Sequence, residues 1–326
     1  SESRAAVAGG ITSYIEMPNT KPKTTNIEAL KAKFDLAQKN SIANYLFYMG
    51  ATNTNWDELI KALEIASPGI KVFLGASTGN MLVDDQHMLE RIFKDFPGII
   101  MVHSEDEAII NANLAKAKKK FGAQIPFEMH ADIRSADACY KATHEAIHWA
   151  EKYNSRLHIA HLSTEDEIQL LNKSIDLKNK RITSEVCSHH LWFDKNDYSE
   201  HKGEIKCNPS IKEEKHKEAL LKAVLNGTID LISSDHAPHT KEEKNNLYSS
   251  CPSGIPLVQH SLLMMLDFWK NDKISLESIV DKMCHNPAIS YNIQERGFLK
   301  EGYKADLTII DPEEPTLVGA ENILYK

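Results

Sequence analysis

Short apolar runs alternate along the chain with longer stretches in which charged and apolar residues interleave at helical spacing. The runs occupy residues 11–16, 44–50, 70–74, 99–103, 156–161, 181–186 and 229–234, and each predicts a strand. Between them, Asn26–Asn40 and Trp56–Ala66 predict helices, and the long interval after His103 has room for two more, near 105–120 and 134–153. This rhythm is the signature of repeated β-α units around a parallel sheet. Ser1–Gly10 reads as a helix ending in a Gly cap, so the chain is expected to begin inside the fold, with one further strand ahead of Ser1. Restoring that strand gives eight, the number that closes a barrel. An open doubly wound sheet would usually place a Gly-rich phosphate turn after an early strand, and this sequence has none. The expected fold class is therefore α/β, a TIM-type (β/α)8 barrel lacking its first strand in this chain and filling residues 1–290. Beyond it, 297–312 reads as turn, strand and turn, so 291–326 is expected to form part of a small β appendage.

Composition narrows the function. The 46 acidic residues outnumber 38 basic ones, the net charge is -8, and no basic block occurs, so nucleic acid and anionic membrane surfaces are not expected partners. A small-molecule substrate is. Cys139, Cys187, Cys207, Cys251 and Cys284 are odd in number, widely spaced and never in a CxxC pair, which points to a reducing cytoplasm rather than a disulfide framework. No apolar run approaches the ~18 residues of a membrane span, and no signal peptide is evident. A homodimer is compatible with the sequence, which does not fix the oligomeric state.

Polar chemistry gathers at the ends of the predicted strands. Leu231-Ile-Ser-Ser-Asp-His-Ala-Pro-His239 is an apolar strand that stops on Asp235 and passes into a histidine-rich turn. His103 ends the strand Ile99–His103, and His161 ends the strand that includes Leu157-His-Ile-Ala-His161. Barrel enzymes keep their sites at the carboxyl ends of strands, so both rings should emerge where a ligand can reach them. Each alone would more often be a core or capping histidine than a ligand, and two so placed strengthen each other. An aspartate in the place of Asp235 must be paired, hydrogen-bonded or metal-bound to offset its desolvation, the plainer alternative being a helix cap. Lys71 lies inside the apolar run Gly69–Leu74 and is either a solvated snorkel or a buried amine with a depressed pKa. Beside a pair of cations such an amine could take up carbon dioxide and bridge them as a carbamate. Lysine, two histidines and aspartate on separate strands make a plausible metal site.

A competing pattern is His144-Glu-Ala-Ile-His148, a match to HExxH. It falls in the predicted helix between strands, on the outer ring, and is expected to face away from the site. His189, His190 and His236 are open between further ligands and polar residues at strand ends, with His190 and His236 not favoured as metal ligands. His130, His158, His201, His216, His260 and His285 have no spacing argument and default to structural or surface roles.

With those residues in place, the chain resembles the dihydroorotases of the amidohydrolase superfamily. The resemblance runs through Ala8-Gly-Gly-Ile-Thr12, Met17-Pro-Asn-Thr20, Lys71-Val-Phe-Leu74, Val102-His-Ser-Glu105, His158-Ile-Ala-His-Leu-Ser-Thr164, Glu185-Val-Cys-Ser-His-His190, Lys206-Cys-Asn-Pro209, Ser234-Asp-His-Ala-Pro-His239 and Asn286-Pro-Ala288. The closing Ala305–Pro312 is similar to the superfamily's returning β-sandwich strand. The resemblance implies two zinc ions, a carbamylated Lys71 bridging them, His103 and His161 as ligands of the second metal, and Asp235 as first-metal ligand and proton shuttle. It also implies that Asn19, Asn208 and His239 hold the substrate's carboxylate and ring, with Ser253–Pro256 lining the same pocket. Where some dihydroorotases carry an aspartate in a DDG stretch, this chain reads Gly75-Ala-Ser-Thr-Gly-Asn80, which favours the lysine form. The family's HxH metal pair and following arginine have no counterpart in this sequence. The implied reaction is reversible hydrolysis of dihydroorotate to N-carbamoyl-L-aspartate in pyrimidine biosynthesis. The alternatives are an allantoinase or hydantoinase type of cyclic amidohydrolase and an inactive dihydroorotase-like partner subunit.

Overall fold

A computed structural model describes residues 2–75 and 81–325. Its strands are β1 (Ser13–Glu16), β2 (Asn44–Phe47), β3 (Met49–Gly50), β4 (Gly69–Leu74), β5 (Ile99–Ser104), β6 (Arg156–Ile159), β7 (Ile182–Cys187) and β8 (Leu231–Ser233). All pairings are parallel. β1 pairs with β2, and β3 through β8 pair in chain order. The single strand expected over 44–50 is interrupted at Tyr48, where the chain leaves β1 and takes up β4 as its partner. The other six predicted strands appear within two residues of their expected ends. Helices Ile27–Asn40, Trp56–Ala62, Glu107–Phe121 and Ala136–Tyr153 fill the predicted intervals, and Glu2–Ala8 forms the opening helix before Gly10 at φ 78°. This is the curved parallel wall of a TIM-type barrel, and among the described residues no ladder joins β8 to β1.

The two faces of the wall differ, because successive strand residues point to opposite sides. Ile70 and Val72, Ile100 and Val102, Leu157 and Ile159, Val186 and Ile232 join the main hydrophobic core with helix residues such as Leu59, Ile92, Phe93, Ala146 and Leu220. The alternate positions are Lys71, Met101 and His103, His158, Glu185 and Cys187, and Ser233. Polar groups thus crowd the inner face, over a small apolar floor of Tyr48, Met101 and Ala160. The outer core holds the strands in register while the inner face is left to chemistry.

Residues 297–312, expected as turn, strand and turn, form no strand, and no helix or strand follows Ser290 among the described residues. The apolar residues there find no partner strand to cover them: Leu307 is 60% exposed and Ile309 94%. The segment is tied down by side chains instead. Thr308 Oγ1 donates to the Gly10 carbonyl at 2.7 Å, Asn44 Nδ2 to Asp306 at 3.1 Å, and Gln259 Nε2 to the Asn322 carbonyl at 2.7 Å. No helix among the described residues is long and apolar enough to cross a membrane.

Candidate active site

β4, β5, β6 and β8 bring Lys71, His103, His161 and Asp235 toward one end of the wall. His103 Nδ1 and His161 Nε2 face each other at 3.0 Å, with their rings edge to face. The other nitrogen of His103, Nε2, donates to Glu105 Oε2 at 2.8 Å. Glu105 is itself gripped by the Arg134 guanidinium, whose Nε lies 2.9 Å from Oε1. Burial alone would raise the Glu105 carboxyl, but Arg134 and His103 together hold it far below the carboxylate range. An ionised Glu105 keeps the His103 proton on Nε2 and leaves the Nδ1 lone pair aimed at His161. Burial pushes both imidazoles toward the neutral form, despite Glu105 in the case of His103. A neutral ring oriented by a carboxylate behind it, as His103 is by Glu105, suits metal ligation; the other nitrogen of His161 is buried without a partner.

Lys71 is buried, 3% exposed, and Asp235 is half-buried. Burial lowers the Lys71 pKa against the pull of Glu185 and Asp235, and burial raises that of Asp235 against the pull of Lys71. Each therefore feels the other's charge, yet among the described residues neither has a hydrogen-bond or ion-pair partner. Removing an ammonium and a carboxylate from water without pairing them costs several kcal/mol each. An uncharged Lys71 and a cation beside Asp235 would remove that penalty. The residues present fit a metal centre.

The backbone is also unusual here. His161 (φ 38°) and Asp235 (φ 42°) both adopt left-handed conformations at strand ends. Such conformations are sparsely populated by non-glycine residues and concentrate at functional sites. At the end of β4, Gly75 (φ 86°) runs so close to the Glu105 carbonyl that an added Cβ would sit 1.7 Å from it. Residues 76–80, which replace the DDG pattern, lie outside the described residues.

Asn208 and His239 share one continuous wall: Gly254 N donates to the Lys206 carbonyl at 2.8 Å and Ala237 N to the Ile255 carbonyl at 3.1 Å. A side chain at Gly254 would collide with Ala237 and press on His239, so the Ser253–Pro256 loop needs glycine there. The Asn208 Oδ1 is buried with no partner. Asn19 is exposed in the turn after β1.

Several residues of the site escape the strand-end pattern. Glu105 and Arg134 orient His103. Glu185 and His158 lie on the inner face, with His158 Nε2 donating to Glu185 at 3.1 Å and its Nδ1 2.8 Å from the Thr183 hydroxyl. His158, expected in a structural or surface role, is a buried partner of Glu185. Burial would raise Glu185, but His158 and Lys71 hold it low, so it adds negative charge beside the lysine. Two-residue alternation counted back from Cys187 is the signal that places Glu185 on this face. His144, Glu145 and His148, the HExxH match, are exposed on helix Ala136–Tyr153, away from the wall.

The sequence pattern of the amidohydrolase family matches residues 2–324. The chain belongs to the amidohydrolase family. This amidohydrolase is 29% identical to a dihydroorotase of Methanosphaera stadtmanae, over 99% of the chain and 73% of that protein. It is 30% identical to an allantoinase of Streptomyces avermitilis, over 99% of the chain and 72% of that protein. Among solved structures, L-hydantoinase (dihydropyrimidinase) from Arthrobacter aurescens superposes with a TM-score of 0.87 at 26% identity, covering 93% of the chain and 69% of that structure. The amidohydrolase is thus a hydrolase of the cyclic amide type, in a family that is generally metal-dependent.

Proposed function

We propose that this cyclic amidohydrolase is a dihydroorotase, interconverting dihydroorotate and N-carbamoyl-L-aspartate in the cytoplasm, with ring closure serving pyrimidine synthesis. The observation that carries the reading is Lys71 and Asp235, which feel each other's charge without a hydrogen bond or ion pair between them, beside the facing nitrogens of His103 and His161. Lys71, His103, His161 and Asp235 would hold the metal, which we take to be two zinc ions. Bound zinc supplies an acidified water and a polarised carbonyl at neutral pH.

The side chains supply the rest. Burial favours the free amine of Lys71, whose nitrogen can attack carbon dioxide; loss of one proton to solvent leaves a carbamate with a single negative charge. Glu105, locked by Arg134, holds the His103 ring in its ligating tautomer. Asp235, its pKa raised by burial, accepts a proton from the attacking water and returns it to the ring nitrogen as the C–N bond breaks. Asn208 and His239, with Asn19 from the turn after β1, hold the carboxylate and ring of the substrate.

A second reading, a hydantoinase, is favoured by the close superposition on the Arthrobacter L-hydantoinase. A panel of dihydroorotate, allantoin and hydantoin, offered to the full-length protein with zinc and bicarbonate, decides between them. The expected result is the highest kcat/KM on dihydroorotate. Faster opening of hydantoin or allantoin overturns the assignment and leaves the cyclic amidohydrolase class intact.

A further inference from the structure

A second set of metal-binding side chains lies beside the Lys71 centre. Cys187 closes β7, and His189 and His190 lie on the short helix Ser188–Trp192 that follows directly. All three are buried, at 0%, 0% and 3% exposure, and one donor atom from each falls within 4.8 Å of the other two. The two imidazole rings lie 4.2 Å apart, centre to centre.

Their hydrogen bonding is incomplete in a telling way. A neutral imidazole carries one donor and one acceptor, and both should be satisfied in a protein interior. Neither nitrogen of His189 has a partner, although the ring is fully enclosed. His190 Nε2 lies 3.1 Å from the Pro209 carbonyl, which can only accept, so the proton is on Nε2 and the Nδ1 lone pair is free. That Nδ1 is also buried without a partner. One nitrogen tied to a carbonyl and the other free is the arrangement that orients metal-ligating histidines. The Cys187 sulfur has one polar neighbour, the Ser233 hydroxyl at 3.3 Å. A plain core cysteine with two core histidines accounts for the packing but leaves both His189 nitrogens unexplained.

We propose that Cys187, His189 and His190 bind a zinc ion distinct from the metal centre at Lys71. One thiolate and two imidazoles form a soft, nitrogen-rich set that suits zinc and is a poor match for magnesium or calcium. Burial first, and then the nearby Asp235 and Glu185, push the Cys187 thiol up, so the thiolate forms only as the ion displaces its proton to solvent. Its role is structural. It joins the end of β7 to the Asn208-Pro209 segment through His190 and so positions the Asn208 side of the pocket. The inference does not depend on which cyclic amide the enzyme opens.

The test is spectroscopic. Full-length protein is stripped of metal, reloaded with cobalt(II), and scanned for the near-ultraviolet sulfur-to-cobalt charge-transfer band. Ligands of nitrogen and oxygen alone, such as those at Lys71, cannot produce that band. The expected result is a band in the wild type, its loss in Cys187→Ser, and zinc content lower by one equivalent in that variant. His189→Gln, checked for native circular dichroism, should weaken the band as a second, independent probe. A cobalt-saturated wild type without the band, or a band that survives in Cys187→Ser, overturns the proposal. In that case a buried water is the partner of His189.

Discussion

Two histidine patterns in this chain end in opposite surroundings. His144 and His148, with Glu145 between them, have ideal local spacing on one helix and face solvent. Lys71, His103, His161 and Asp235 have no local spacing at all, yet four strands, three of them at or just past their ends, bring them to one mouth of the wall. A motif read along a helix yields a metal site only where that helix faces a cavity. A strand end in a parallel barrel faces the cavity by construction, so single polar residues there outweigh a complete regular expression elsewhere.

The contrast is most exposed to refutation at Lys71. Lys71→Ala should drop turnover to the uncatalysed rate and reduce bound zinc, measured by kinetics and metal analysis on folded protein; retained activity would remove the lysine from the centre. Glu105→Gln should weaken metal binding about 10–100-fold, because a ligating histidine depends on the carboxylate behind it. Competition with a chelator measures it, and wild-type affinity would mean that Arg134 and Glu105 serve packing alone. Histidines buried for structure form a third class, with His130 the clearest case. It lies 2.8 Å from both the Tyr248 hydroxyl and the Cys207 carbonyl, and burial, aided by Arg134 and Lys206, lowers its pKa from 6.5 to about 3. The unfolded chain therefore binds the proton first as pH falls, so this contribution is complete above pH 6.5 and is lost between 6.5 and about 3. Urea unfolding across that window should show a shallower decline in His130→Gln; an identical slope contradicts the assignment. The smallest effect belongs to the helix: His144→Ala with His148→Ala should leave turnover and metal content within error of wild type.

Much of the wall is legible in the sequence, because apolar runs of strand length and the two-residue alternation on one buried face are local signals. Six of seven strands and the three residues at or just past strand ends, His103, His161 and Asp235, follow from them. Tyr48 breaks the 44–50 strand because the partner changes there, which no local pattern records. The strand expected in 297–312 has good alternation, but a strand exists only where another is present to pair with it, and Leu307 and Ile309 are left exposed. Arg134 reaches Glu105 from the turn before helix Ala136–Tyr153, a link that only tertiary packing makes. Glu185 and His158 lie within reach of the alternation rule, yet each sits inside its strand rather than at the end, where a polar residue stands out less from its neighbours.

Asp235 is the residue on which the chemistry turns, as the group that moves the proton at a metal centre formed by strand ends. Its role is tested most directly by dihydroorotate turnover in Asp235→Asn, in full-length protein whose zinc content and fold are verified in the same preparation. The expected result is a loss of at least ~10²-fold, the usual range for a general acid-base group. Turnover near wild type, with metal still bound, would take Asp235 out of the proton's path.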